Sequence, residues 1–223
     1  MRKAWVLPLT SLLMLVVAAP VSAGANTSNT SGTGRTVYGE WSDVGVYGYA
    51  YFGQESGQPG FGDIYEESGE WVECQPVEGG AEPAPKAVAP TDTGPGEGYY
   101  GFVGTRTFGY AYGVEITLSR RLASGTVTGQ VELWTETVDE CAGIYGDGSS
   151  VIATIDVTAT GIGPLASFRG SGSYKIPSEF NGHDSYRGTE RQASGSVVAG
   201  TVIDASFDFG YMSRVTWTSH SNG

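Results

Sequence analysis

Two rows of rings are the residues of this sequence best placed to do chemistry. Tyr47, Tyr49 and Tyr51 form one row and Phe108, Tyr110 and Tyr112 another. Three rings spaced i, i+2, i+4 share a face only in an extended strand. The residues between them are Gly48, Ala50, Gly109 and Ala111, small enough to let other groups pack close behind the rings. A flat aromatic ladder can stack on a sugar face or a planar ligand, and tyrosine hydroxyls add hydrogen bonds. Trp41 has the parity of Tyr47 and extends the first ladder if no bulge intervenes, and Trp71 is a further candidate on the next strand. Core layering competes with this reading, because large aromatics dominate interiors. Ring exposure separates the two.

Other chemistry is thinly represented. Of the two histidines, His220 is the fourth residue from the end and His183 is followed by Asp184. Neighbours on a strand point to opposite faces, so an Asp184–His183 dyad is unfavourable. The acids Asp63, Glu66, Glu67, Glu70 and Glu73 lack the interleaved oxygen ligands and glycine of a calcium loop and read as a solvated run. No His/Cys set has zinc spacing. We therefore assign no catalytic residue, no metal and no cofactor from sequence.

The elements that must hold the ladders follow from alternation. Val114, Ile116 and Leu118 alternate with polar residues, and after the turn at 120–125 Val127, Val131 and Leu133 alternate with Thr128, Gln130, Glu132 and Trp134. This is an antiparallel hairpin. The same pattern recurs in 37–53, 63–75, 149–161, 166–175, 183–198, 201–209 and 213–219. The prediction is an all-β domain, an antiparallel meander of about nine long strands, barrel-like, with a β-sandwich as the alternative. Reading Ile162-Gly163 as a two-residue turn pairs Asp156 with Arg169. Gly210-Tyr211-Met212 is read as the turn between the last two strands.

Residues 1–23 read as a secretory signal peptide: Arg2 and Lys3, an apolar run, then Val21-Ser22-Ala23. Residues 24–35 read as a disordered leader and 36–223 as one domain, interrupted by a flexible Pro/Gly-rich loop at 76–98. Secretion makes Cys74 and Cys141 a disulfide pair. Cleavage removes Arg2 and Lys3, leaving 10 Lys+Arg against 24 Asp+Glu, a net charge of −14. That balance argues against nucleic acid and anionic membrane as partners. Insertion as a membrane barrel is also not expected, since the strand around Arg187 has no apolar, lipid-facing set.

The run Thr158-Ala159-Thr160-Gly161-Ile162-Gly163-Pro164-Leu165, with Tyr186-Arg187 and Arg191-Gln192-Ala193-Ser194-Gly195-Ser196 after it, carries a resemblance. The C-terminal half resembles an uncharacterised group of secreted bacterial β-rich proteins. The resemblance implies export and a β-rich fold, and no activity.

These residues together suggest a secreted binding module with a Tyr/Trp-lined surface or cavity for a sugar or small planar ligand. The alternative is an envelope-associated structural or interaction protein without such a ligand. An enzyme using a carboxylate or His183 site comes third.

Overall fold

The computed structural model describes residues 28–74, 100–146, 148–176 and 180–222. The segment predicted as a loop at 76–98 and the signal peptide lie outside the described residues. Ten strands follow in chain order: β1 (Ser28–Asp43), β2 (Val46–Glu55), β3 (Gly60–Glu73), β4 (Tyr100–Leu118), β5 (Ser124–Asp139), β6 (Ile144–Tyr145), β7 (Ser149–Gly161), β8 (Ala166–Ile176), β9 (Phe180–Ala199) and β10 (Ile203–Asn222). They make one antiparallel ten-stranded sheet in the order β10-β1-β2-β3-β4-β5-β7-β9-β8, and β10 also pairs with β9. That extra pairing closes a barrel-like circuit of eight strands. β6 lies off it on β5, and β8 lies off it on the first part of β9.

Alternation explains the closure. Val37, Phe52, Ile64, Ala111, Ile116, Val127, Leu133, Ile155, Val157, Val197, Ile203, Phe207 and Met212 all turn inward and pack as one buried cluster. Thr126, Thr128, Thr154, Asp156 and Thr158, between those positions on β5 and β7, are exposed. On β5 and β7 the interior is therefore apolar and the exterior rich in threonine. No helix among the described residues is long and apolar enough to cross a membrane. Leu122, wholly buried in the β4–β5 turn at φ 51°, belongs to the same cluster.

Four expectations change. Strand β1 begins at Ser28 and pairs with β10 from Ser28↔Ser221 onward, so the 24–35 leader is strand over its described part. The last two predicted strands are one strand, β10, because β1 and β9 flank it continuously through 210–213. Gly210 marks a bulge instead of a turn: a Cβ there would lie 2.3 Å from the Tyr38 carbonyl oxygen.

The meander is interrupted as well. β7 pairs with β9 and not with β8, so Asp156 stands between Thr128 and Val198 and never meets Arg169. A two-residue turn at Ile162-Gly163 would need residue 164 to donate its amide to Gly161, and residue 164 is proline. The Ile162 amide instead donates to the Gln192 carbonyl at 2.7 Å, and the Gly161 amide to the Ala123 carbonyl at 2.9 Å.

Finally, Trp41 does not extend the tyrosine ladder. The β1–β2 turn sets Trp41 opposite Gly48 and Ser42 opposite Tyr47, which puts the indole on the inner face. Trp41 is 6% exposed, and a Cβ on Gly48 would lie 2.4 Å from its ring, so only glycine fits beneath it.

Candidate ligand-binding face

Both ladders stand on the outside of the barrel. Register aligns them into rows that run across strands. One row passes Tyr211, Tyr38, Tyr51, Asp63, Tyr110, Glu132 and Ile152. The next passes Glu40, Tyr49, Tyr65, Phe108 and Trp134. The expectation that large aromatics form core layers therefore fails here. Trp41, Phe52 and Phe207 fill the interior together with the aliphatic and small residues, and the ladder rings take the outer face.

This aromatic wall has two regions of different chemistry. Over β1–β3 the rings lean on each other and on carboxylates. Tyr38 stacks on Tyr211 with centroids 5.3 Å apart, and Tyr49 on Tyr65 at 5.7 Å. The Tyr38 hydroxyl donates to Glu40 Oε2 at 2.9 Å, and the Tyr65 hydroxyl to Glu67 Oε2 at 2.7 Å. Burial, then these carboxylates, hold the tyrosines in their neutral donor form: Tyr65 is pushed up to about 12 and Tyr38 well above its usual value. Tyr211 is also pushed up to about 12, by burial first and then by Tyr51 and Glu190. Asp63 sits high for a carboxylate because burial outweighs the hydrogen bond it receives from Tyr49. Tyr47 is 38% exposed and Tyr51 half-buried at this region's two borders.

Over β4, β5 and β7 the wall opens. Tyr110 is 61% exposed and Tyr112 78%. With Phe108, Trp134, Gln130, Glu132 and Ile152 they line an open depression of about 480 Å³. Its floor is apolar, and Gln130 and Glu132 supply an amide and a carboxylate at its edge.

Trp71 shares the outer face at the far end of β3, where it packs on Phe102 with centroids 5.9 Å apart, outside this depression. Sequence reasoning passed over Trp134 and Tyr65. The signal for Trp134 was present, since it alternates with Leu133 on the polar side of its strand. Tyr65 alternates with Ile64 in the same way.

The remaining candidates are accounted for. Cys74 and Cys141 form a disulfide with Cα atoms 5.1 Å apart. His183 accepts or donates a 2.9 Å hydrogen bond with Ser173 Oγ, and Asp184 occupies the alternate position on its strand. Glu66 turns inward to accept a 3.0 Å hydrogen bond from Trp41 Nε1, and burial raises its carboxyl above the ordinary value. Among the described residues no group of three or more His, Cys, Asp or Glu side chains could hold a metal ion.

No protein-family model, no curated protein and no solved structure matches this chain.

Proposed function

We propose that this protein is a secreted carbohydrate-binding module whose outer aromatic wall stacks on the sugar rings of a polysaccharide. One observation carries the reading: Tyr110 and Tyr112, 61% and 78% exposed, lie beside Trp134 in an open depression with hydrogen-bonding groups at its edge. Exposed apolar surface rimmed by polar groups marks interaction and ligand-binding sites. An open floor suits a polymer laid across it better than a small molecule that must be enclosed. Ring stacking fixes the plane of a sugar, while Gln130, Glu132 and the tyrosine hydroxyls address its hydroxyl groups. The disulfide, the N-terminal sequence and the C-terminal resemblance to secreted bacterial β-rich proteins all support an extracellular setting.

The test is retention on a panel of insoluble neutral polysaccharides, with wild type compared to Tyr110→Ala/Tyr112→Ala. Each lost ring contact is worth about 0.5–1.5 kcal/mol, so the double variant binds roughly fivefold to a hundredfold more weakly. Both rings point outward, so the variant keeps the wild-type fold. Wild type that is retained on none of the panel, or a folded double variant retained equally well, contradicts the proposal.

A further inference from the structure

A second surface with different chemistry lies away from the wall. Beyond the barrel, β1, β10, β9 and β8 continue side by side as a four-stranded extension. Its register sets like beside like. Arg169 is directly opposite Arg187, Arg35 is opposite Arg214 one row nearer the barrel, and His183 is opposite His220 further out. All six residues fall on one face, and between the Arg35 row and the His183 row the other positions of that face are Ser, Thr and Asn. No Asp or Glu is among them. Asp184 and Glu190 occupy the alternate positions of β9 and so belong to the other face. In a chain with 24 Asp+Glu and 12 Lys+Arg, four arginines are thus gathered where no carboxylate answers them.

Like charges directly opposite one another weaken a strand pair. Arg35 and Arg214 are partly relieved, because they donate to the main-chain carbonyls of Ile116 and Leu118. Arg169 and Arg187 are exposed and have no hydrogen-bond or ion-pair partner among the described residues. Opposed side chains on a sheet start about 5 Å apart. Each guanidinium presents a planar fork that matches an oxyanion with two parallel hydrogen bonds. The row beside them is hydroxylic, with Ser185 Oγ and Thr218 Oγ1 2.6 Å apart.

We propose that this face binds an acidic polysaccharide, with the Arg169–Arg187 pair clamping a sugar carboxylate and the hydroxyl row meeting the neighbouring sugar hydroxyls. The charge pattern selects the occupant. A carboxylate supplies the missing counter-charge, a sugar supplies hydroxyl partners, and the four-stranded face accepts an extended chain. The acidic remainder of the molecule repels polyanions lacking such local contacts. The Arg169–Arg187 pair stands on β8 and β9, and the site lies on the opposite face to the aromatic wall, so it stands or falls independently of the wall's ligand.

The experiment titrates the full exported chain with polygalacturonate oligomers, and with the same oligomers methyl-esterified. Wild type binds the carboxylate form, binds it more weakly as salt rises, and does not bind the ester. Arg169→Gln/Arg187→Gln weakens binding about tenfold or more, because charge-assisted hydrogen bonds are lost. Arg169→Lys/Arg187→Lys, which keeps the charge without the fork, weakens it less. Tyr110→Ala/Tyr112→Ala leaves it unchanged. Near-UV circular dichroism checks that each variant is folded. The proposal is overturned if wild type ignores the carboxylate form, if both arginine variants bind as wild type does, or if wild type only self-associates and the arginine changes abolish that.

Discussion

Replacing Cys74 and Cys141 by serine is a direct probe of how the far end of the barrel is held. Cys74 follows the end of β3 and Cys141 follows the end of β5, while β4 lies between and pairs with both, through Glu73↔Tyr100 and Val103↔Asp139. The bridge therefore ties together two strands that share no backbone hydrogen bonds with each other. Its ends are separated by 67 residues, and closing a loop of that length in the unfolded chain is worth about 4 kcal/mol in the chain-entropy account. For a chain of this size each kcal/mol moves Tm by roughly 2–4 °C, so Cys74→Ser/Cys141→Ser should melt about 8–16 °C lower. Urea unfolding followed by tryptophan fluorescence measures the same loss. It should also show a steeper denaturant dependence, because the uncrosslinked chain exposes more surface on unfolding. The barrel core is untouched, so the near-UV spectrum should persist. An unchanged midpoint in the double variant would refute the loop-closure reasoning, and two titratable thiols in wild type purified without reductant would refute the bridge itself.

Two further outcomes are expected. Leu122 is wholly buried in the β4–β5 turn, so Leu122→Ala should cost about 2–5 kcal/mol in urea unfolding, and a loss well under that would show that it does not help fill the core. Burial alone would raise Glu140, but the Phe102 amide at 3.0 Å and Arg106 Nη2 at 2.8 Å win and hold it below its ordinary value. A folded-state value below the unfolded one stabilises above the ordinary carboxylate range and is lost as pH falls through it. Glu140→Gln should therefore lower stability at neutral pH and converge on wild type in acid. Unfolding midpoints across a pH series check this, and parallel curves would contradict it.

Alternation made most of the sheet legible, because the inner positions of nearly every strand are apolar and their neighbours polar. The ladders were legible for the same reason, and so was the outward side of Trp134. Most of what failed depended on partners distant in sequence. Trp41 was misassigned because parity carries across a turn only when the pairing is known, and the β1–β2 register puts Trp41 opposite Gly48. Ile162-Gly163 resembled a hairpin until the hydrogen bond denied by Pro164 is counted. Gly210 resembled a turn because a bulge and a turn both call for glycine, and only the strands on either side distinguish them. The Arg169–Arg187 opposition depends wholly on β8 pairing with β9, which neither segment's own pattern states. Nor could alternation say which face of the ladders was wet. That followed from the barrel's closure, which puts Phe52, Phe207, Trp41 and the aliphatic residues inside and the ladders' parity outside.

The claim that the wall is a sugar-binding surface is tested most directly at Trp134, the indole that borders the open depression. Acrylamide quenching is measured for wild type and for Trp134→Phe, with and without an oligosaccharide cut from a neutral polysaccharide that retains the protein. The difference between the two proteins isolates this ring from Trp41, Trp71 and Trp217. The account predicts that saturating oligosaccharide shields the Trp134 contribution and leaves the residual quenching of Trp134→Phe unchanged. Trp134 quenched equally with and without bound sugar would contradict it.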